Sequence, residues 1–211
     1  MKVRYHATLP LSLLLLIGLS ACSTMRPVDV DPKARVNLYQ ARSDHLARFS
    51  DWSMVGRLAV SDSKDGGSGH FSWKEISGGS QMDFHGALGR GAWRLEADGQ
   101  GAELKLADGT IHHADSIDQL VRIQVGWEIP VDKLSWWVRG LVAPGEYQQR
   151  LLDEKGNMDE LLQSGWTIEY GRYRVFDGVS LPVKLVARQA DWKVKLAISD
   201  WKLLEENNPN E

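Results

Sequence analysis

Residues 51–76 read DWSMVGRLAVSDSKDGGSGHFSWKEI, and this stretch decides the fold because its large apolar residues recur with a period of two. Residues at that spacing fall on one face of an extended chain, as in a half-buried β-strand. The residues that share this face are Trp52, Met54, Leu58, Val60, Phe71 and Trp73. Between the two apolar segments, the run Gly66-Gly67-Ser68-Gly69 has the chemistry of a turn. The stretch therefore predicts two antiparallel strands, each with one apolar face.

The same alternation continues toward the C-terminus. Three further strands are marked by Met82 with Phe84, Trp93 with Leu95, and Leu104 with Leu106. The segments between them are short and rich in Gly and Asp, so they make an antiparallel meander rather than parallel crossovers. Strand patterns return later, around Tyr147–Leu152, Met158–Leu162, Trp166–Tyr170, Leu181–Leu185 and Trp192–Ile198.

Helical spacing occurs in three places. Ala34 to Phe49 has the pattern of an amphipathic helix. A second helix is predicted from Asp115, as its N-cap, to Val125, with Gly126 ending it. A third is predicted from Val131 to Arg139, after a proline and before a glycine.

The predicted order is therefore a helix, five strands, two helices and about five strands. A sheet of some ten short strands cannot stay flat, because each neighbour adds right-handed twist. We predict a mainly β fold with some α, an incomplete and strongly curved antiparallel β-barrel whose open side is covered by the helices. Periodicity alone favours a packed interior over a cavity, since small barrels usually fill themselves with side chains.

The N-terminal region has the pattern of a secretory leader. Lys2 and Arg4 precede an apolar run that is too short to span a bilayer, and the run ends in Leu19-Ser20-Ala21-Cys22. This tetrapeptide resembles the lipobox of bacterial lipoproteins, which implies a diacylglyceryl thioether on Cys22 and a third acyl chain on its amine. A free buried thiol behind an ordinary leader is the alternative. We predict a signal peptide over 1–21, a lipidated tether over 22–33 and a single domain over 34–211.

Charge and composition limit the partners. The first 21 residues hold two basic residues and no acidic one, so the remaining chain carries 23 Lys and Arg against 28 Asp and Glu, a net charge of −5. That balance argues against binding to nucleic acid or to an anionic surface. With Cys22 acylated no thiol remains for a disulfide, so one hydrophobic core holds the domain together.

No motif indicates an enzyme. The sequence contains neither a phosphate-binding G-x-x-x-x-G-K-[ST] loop nor a G-x-S-x-G nucleophile elbow. His112 and His113 are neighbours in a strand-like stretch, so their side chains point to opposite faces and share no metal. Asp115 and Asp118 suit a helix cap better than an acid–base pair. We expect no catalytic residue, no metal and no cofactor, and for Arg57 the sequence leaves two roles open, pointing to solvent or holding a helix across the sheet.

The motifs that remain are short, and they carry weight through their order and spacing. They are the lipobox, Trp52 with Gly56-Arg57, the glycine-rich loop around Leu88, Ile129-Pro130 with Leu134, Trp137, Gly140 and Leu141, then Tyr170-Gly171 and Trp201. In this arrangement, which covers nearly the whole chain, the sequence resembles the LolB family of outer-membrane lipoprotein receptors in Gram-negative bacteria.

The resemblance implies an apolar cavity that receives the acyl chains of other lipoproteins. The residues expected to line it are Trp52, Met54, Leu58, Phe71, Trp73, Phe84 and Trp93. It also implies that Leu88, on a protruding loop, helps insert cargo into the bilayer. The implied partners are the periplasmic carrier LolA, cargo lipoproteins and the inner leaflet of the outer membrane. We expect a monomer that is anchored there with its domain facing the periplasm.

Two other functions fit the same anchor and sheet. One is a lipocalin-like binder of a fatty acid or another small lipid. The other is a structural lipoprotein with no ligand.

Overall fold

Eleven strands form one antiparallel sheet in the computed structural model, which describes residues 31–86 and 91–204. The strands are β1 (Asp51–Ser61), β2 (Gly66–Ile76), β3 (Gly79–Gly86), β4 (Trp93–Asp98), β5 (Gly101–Leu106), β6 (Ile111–Ala114), β7 (Gln149–Leu152), β8 (Met158–Gln163), β9 (Trp166–Phe176), β10 (Val179–Gln189) and β11 (Trp192–Leu204). The helices are α1 (Pro32–Leu46), α2 (Ile117–Leu120) and α3 (Val131–Trp137), with a π-helix (Val121–Val125) continuing α2.

The first and last long strands meet in the middle of the sheet. Its order is β6-β5-β4-β3-β2-β1-β11-β10-β9-β8-β7, and β1 pairs with both β2 and β11. In the described part of the chain β6 and β7 do not pair with each other, so the sheet stays open. The predicted mainly β fold, an incomplete antiparallel barrel, is confirmed, with eleven strands in place of about ten.

Close backbone approach in the curved sheet explains two glycines. A Cβ at Gly56 would lie 2.3 Å from the carbonyl oxygen of Ala197, beside the register shift between Val55 and Gly56. A Cβ at Gly69 would lie 2.2 Å from the carbonyl oxygen of His85. Bulges and glycines of this kind let a sheet bend sharply.

The first hairpin turn lies earlier than predicted. Gly66–Gly69 is part of β2, and the chain reverses between Asp62 and Asp65. The Asp62 carboxylate accepts hydrogen bonds from the backbone N–H groups of Lys64 and Asp65, both at 2.7 Å. An aspartate that accepts hydrogen bonds from the N–H groups that follow it stabilises a turn. The chain therefore reverses at Asp62, and the glycines lie in β2, where their lack of a side chain suits the close pairing of the strands.

The helices follow the predicted positions with shifted ends. α1 begins two residues before Ala34 and ends at Leu46. The predicted N-cap Asp115 is wrong, because Ser116 adopts the extended cap conformation and its hydroxyl accepts from the Gln119 N–H at 3.3 Å. Gly126 ends the segment in the left-handed region, at φ +76°, as predicted.

The apolar face of the sheet, together with all three helices, forms one buried cluster. Trp52, Trp73, Trp137 and Trp166 are among its largest fully buried side chains. Arg57 lies on the opposite, exposed face, so it points to solvent and does not hold a helix. Within residues 31–86 and 91–204, no helix combines the length and the apolar character that crossing a bilayer requires.

Candidate functional site

A row of aromatic rings runs along the buried face of the sheet. Ring centroids lie 5.6 Å apart for Trp201 and Trp52, 5.3 Å for Trp52 and Trp73, 6.3 Å for Trp73 and Phe71, and 6.4 Å for Phe71 and Trp93. These are typical distances for favourable offset and edge-to-face pairs. The alternation of β1, β2, β4 and β11 brings these rings onto one face.

The row ends at a cavity of about 790 Å³ that is partly open to solvent. The apolar side chains in its wall are Val60, Phe84, Ala92, Trp93, Leu106, Ala107, Val125, Trp127 and Trp192. Ligand pockets in proteins typically measure about 300–1,000 Å³ and are mostly apolar. The cavity therefore has the size and the lining of a lipid or small-molecule site.

The predicted cavity residues divide into two groups. Phe84 and Trp93 stack with an interplanar angle of 19° and line the cavity. The other five are buried in the cluster behind it and do not line the cavity, although three of them belong to the aromatic row. These five are Trp52, Met54, Leu58, Phe71 and Trp73. Cys22 and Leu88 lie outside the described residues, but Gly86 and Gly91, which flank residues 87–90, both line the cavity.

One wall of the cavity was not predicted. It is the segment from Gln124 to Trp127, which begins in the last two residues of the π-helix and continues for two residues beyond it. The half-buried Trp127 ring packs edge-on against Phe84 at 5.9 Å and Trp93 at 6.1 Å. We call residues 124–127 the lid segment. A tryptophan directly after the helix-ending Gly126 was the available signal in the sequence.

A buried network of hydrogen bonds holds α3 against the sheet. The fully buried Gln163 amide oxygen accepts from Trp137 Nε1 at 2.9 Å and from the Ala143 N–H at 3.0 Å. Its amide nitrogen donates to the carbonyl oxygens of Ala143 at 2.8 Å and Glu146 at 3.3 Å. Tyr170 Oη donates to the Trp137 carbonyl oxygen at 2.9 Å. The end of α3 is thus held to β8 and β9.

Arg42 ties α1 to the same region. Its guanidinium donates to the carbonyl oxygens of Ser180 at 2.7 Å, Gly140 at 3.1 Å and Arg139. Burial lowers its pKa, and the ring of Tyr173 lies 5.5 Å away. Because the Arg42 guanidinium donates to three backbone carbonyl oxygens, its role is to hold α1 to β10 and to the segment that follows α3.

A second buried cation packs against the aromatic row at Trp52. The Arg139 guanidinium lies 5.5 Å from the Trp52 ring and 5.1 Å from the Trp136 ring. Burial lowers its pKa to about 10. Burial likewise raises the pKa of Glu75, which accepts from Trp73 Nε1 at 2.7 Å. Both groups have hydrogen-bond partners, and neither lines the cavity.

Asp118 joins α2 to α3. Its carboxylate accepts from the Val131 N–H at 2.6 Å, at the first residue of α3. Burial raises its pKa above the ordinary value, and the neighbouring charge of Asp132 adds to this, although the Val131 amide favours the ionised form. The sequence placed Asp118 at a helix start, and the structure shows that it caps the following helix.

This raised pKa makes a testable contribution to stability. The folded state binds the Asp118 proton more tightly than the unfolded chain, so the free energy of unfolding falls as pH rises above about 3.8. We expect Asp118→Asn, which removes the charge, to gain stability relative to the wild type between pH 3.5 and pH 7. Urea unfolding at the two pH values measures it, with exposed Asp115→Asn as the control. A pH-independent difference between wild type and Asp118→Asn would contradict this role.

Known proteins match the chain over most of its length. A sequence model of the family described as outer membrane lipoprotein LolB matches residues 50–201. The outer-membrane lipoprotein LolB of Alkalilimnicola ehrlichii is 37% identical over 187 residues, covering 88% of this chain and 92% of that protein. That of Marinobacter nauticus is 34% identical over 201 residues, covering 91% and 96%. Both relatives are named as lipoproteins and not after an enzymatic reaction.

A LolA superfamily protein from Nitrosomonas europaea is among the solved structures that align with this chain. Its TM-score is 0.47 at 10% sequence identity, and the match covers 82% of this chain and 95% of that one.

Proposed function

Because this chain belongs to the LolB family of outer-membrane lipoproteins, we propose that it accepts lipoproteins from the periplasmic carrier LolA and inserts them into the inner leaflet of the outer membrane. The acyl chains of the cargo are held in the cavity during transfer. A lipid on Cys22 anchors the domain to the membrane on its periplasmic side.

The energetics of lipoprotein transport call for such a shelter. Three acyl chains of roughly fifteen methylenes each, at about 0.8 kcal/mol per methylene, amount to some 35 kcal/mol of gross transfer free energy. A lipoprotein therefore does not cross an aqueous compartment with bare chains. A protein that receives it must offer apolar room.

The single observation that carries the proposal is the apolar cavity at the end of the aromatic row. If a methylene occupies about 30 Å³, close to the share of one molecule in liquid water, a fifteen-methylene chain needs roughly 450 Å³. The cavity of about 790 Å³ then holds one chain and most of a second. A triacylated cargo requires it to widen, and the lid segment is the wall that packs mainly through one half-buried ring, Trp127.

Carboxylates around the cavity favour a basic partner. Asp62, Asp65 and Asp108 are among the residues that line it. Backbone N–H groups hold the pKa of Asp62 and of Asp108 below the usual range, so both stay ionised in mildly acidic conditions. A carrier that docks at this rim with basic side chains gains complementarity and a faster encounter.

Transfer runs without nucleotide hydrolysis, since no phosphate-binding loop is present in the sequence. The cargo moves because each receiver binds the acyl chains more tightly than the donor does, from carrier to cavity to bilayer. The cavity affinity must therefore lie between those of the carrier and the membrane.

Transfer from a loaded carrier tests the proposal directly. The full mature chain carrying Cys22→Ala is incubated with LolA that holds a lipoprotein, and the cargo on each protein is measured after separation. We expect most of the cargo to move to this chain. Cargo that stays on the carrier, while a free fatty acid binds to the cavity, would support the lipocalin-like alternative instead.

We expect Leu88→Glu to block insertion while leaving folding and cargo acceptance intact. A leucine side chain gains roughly 1.5–3 kcal/mol in lipid, enough to favour brief contact of a tethered domain with the bilayer, and a carboxylate loses this gain. Transfer of cargo into liposomes is the measurement. Ile76→Glu, at an apolar position that is exposed at the end of β2, is the matched control and should insert normally. Unchanged insertion by Leu88→Glu would rule out its role.

A further inference from the structure

The exposed face of five adjacent strands is strongly basic. β9, β10, β11, β1 and β2 together carry nine Lys and Arg but four Asp and Glu. The basic residues are Arg57, Lys74, Arg172, Arg174, Lys184, Arg188, Lys193, Lys195 and Lys202. We call the side of these strands that bears them the basic face.

Strand alternation explains how the basic face arises in an acidic chain. Each of these strands places its apolar residues in the core and the intervening ones outside, and most of the charged residues among the intervening ones are basic. The other six strands carry three Lys and Arg against six Asp and Glu. The net charge of the chain therefore conceals a segregation of charge between two parts of one sheet.

Few of these cations are neutralised within the protein. Among the described residues, one ion pair involves them, between Arg188 and Glu169 at 2.6 Å. The register also places Arg172 opposite Lys184, and Arg188 opposite Lys193. Like charges directly across a strand pair repel one another. An anionic partner on this face would relieve that repulsion.

We infer that the basic face binds anionic phospholipid headgroups of the membrane that carries the protein. The family places the protein at the outer membrane, and nine residues lie between the proposed anchor Cys22 and Pro32. The ten steps along the chain from Cys22 to Pro32 reach at most about 35 Å, so the domain that bears the basic face stays near the bilayer surface. Lipid headgroups are therefore the anions it meets at the highest local concentration, ahead of acidic proteins or nucleic acid. The expectation from net charge, that the chain avoids anionic surfaces, does not hold for this face.

Vesicle binding tests the inference without the lipid anchor. The full mature chain carrying Cys22→Ala is sedimented with two kinds of phosphatidylcholine vesicles. One kind contains no phosphatidylglycerol, and in the other about one lipid in three is phosphatidylglycerol. We expect binding that requires phosphatidylglycerol and is lost at high salt. Adding Lys184→Glu and Lys193→Glu should weaken that binding by at least about 25-fold, since each cation contributes roughly fivefold.

These two substitutions were chosen because they should not harm the fold. Each replaces a repelling cross-strand pair with an attractive one, opposite Arg172 and Arg188. The melting temperature should therefore stay equal or rise while membrane binding falls. Lys105→Glu with Lys155→Glu changes the net charge equally at exposed positions elsewhere and is the matched control.

Three results would overturn the inference. The first is wild-type binding to vesicles that is equally strong with and without phosphatidylglycerol. The second is an equal loss of vesicle binding in the two double variants. The third is binding to an acidic protein or to DNA without any binding to the vesicles. Acceptance of cargo from the carrier does not depend on the basic face, so the Lys184→Glu, Lys193→Glu variant should still accept it. Failure of this inference is thus distinct from failure of the proposed function.

Discussion

Replacing Val125 by glutamate should lower the affinity of the cavity for acyl chains by about two orders of magnitude. Val125 ends the π-helix and lines the cavity while remaining half-exposed, so the folded state can tolerate a larger side chain there. A carboxylate at that wall must either be buried against the cargo or exclude it, at a cost of roughly 3 kcal/mol, which is about 100-fold in affinity. Titration of the Cys22→Ala chain with a fluorescent fatty acid, followed by the carrier transfer assay, measures the loss.

Ile123 provides the matched control for this prediction. It lies two residues earlier on the same π-helix, is 60% exposed and does not line the cavity. Ile123→Glu should therefore bind the fatty acid as the wild type does. An equal loss in both variants would mean that the segment acts as an outer contact surface and that Val125 does not form a wall of the binding site.

Gln163→Leu should reduce the free energy of unfolding by about 3–6 kcal/mol, because buried donors and acceptors left without partners cost about 1–3 kcal/mol each. The Gln163 amide makes four hydrogen bonds, to Trp137, to both backbone groups of Ala143 and to Glu146. A leucine fills similar space and makes none of them. Urea unfolding followed by tryptophan fluorescence is the measurement.

The control is Gln149→Leu, at an exposed glutamine in β7 that bonds to the Glu160 side chain. Its effect should stay within about 0.5 kcal/mol, as for most surface substitutions. A loss below about 1 kcal/mol in Gln163→Leu would show that the buried amide is not what holds α3 to β8, since that is the size of a single ordinary hydrogen bond.

The strands could be predicted from the sequence because their signal is local. Alternation such as that of Trp52, Met54 and Leu58 depends on neighbouring residues and on one buried face, so it survives without knowledge of the tertiary fold. The glycine stop at Gly126 is equally local. The turn at Asp62 was missed because glycine-rich sequence also suits crowded strand pairing, as at Gly69.

The rest of the site depends on contacts between distant positions. Arg42 bonds to Ser180, which follows it by 138 residues, and no local pattern distinguishes this arginine from a solvated one. Gln163 and Trp137 are separated by 26 residues and meet only once α3 packs on β8. The division of the predicted aromatic residues between the cavity wall and the core behind it likewise depends on how the sheet curves. Composition gave the sign of the net charge but could not give its distribution between the two parts of the sheet.

The edge strands β6 and β7, which do not pair with each other within residues 31–86 and 91–204, have a consequence for the size of the cargo under the proposed function. A closed barrel has a girth fixed by its strand number and stagger, because every strand is bonded on both sides. Here no ladder of backbone bonds joins β6 to β7 in the described part of the chain, and the packing of apolar side chains from the sheet and the helices holds the fold together instead. The two flanks can move apart without breaking any rung of the ladder. Under the proposed function, the binding site can thus widen for lipoproteins that carry different numbers of acyl chains.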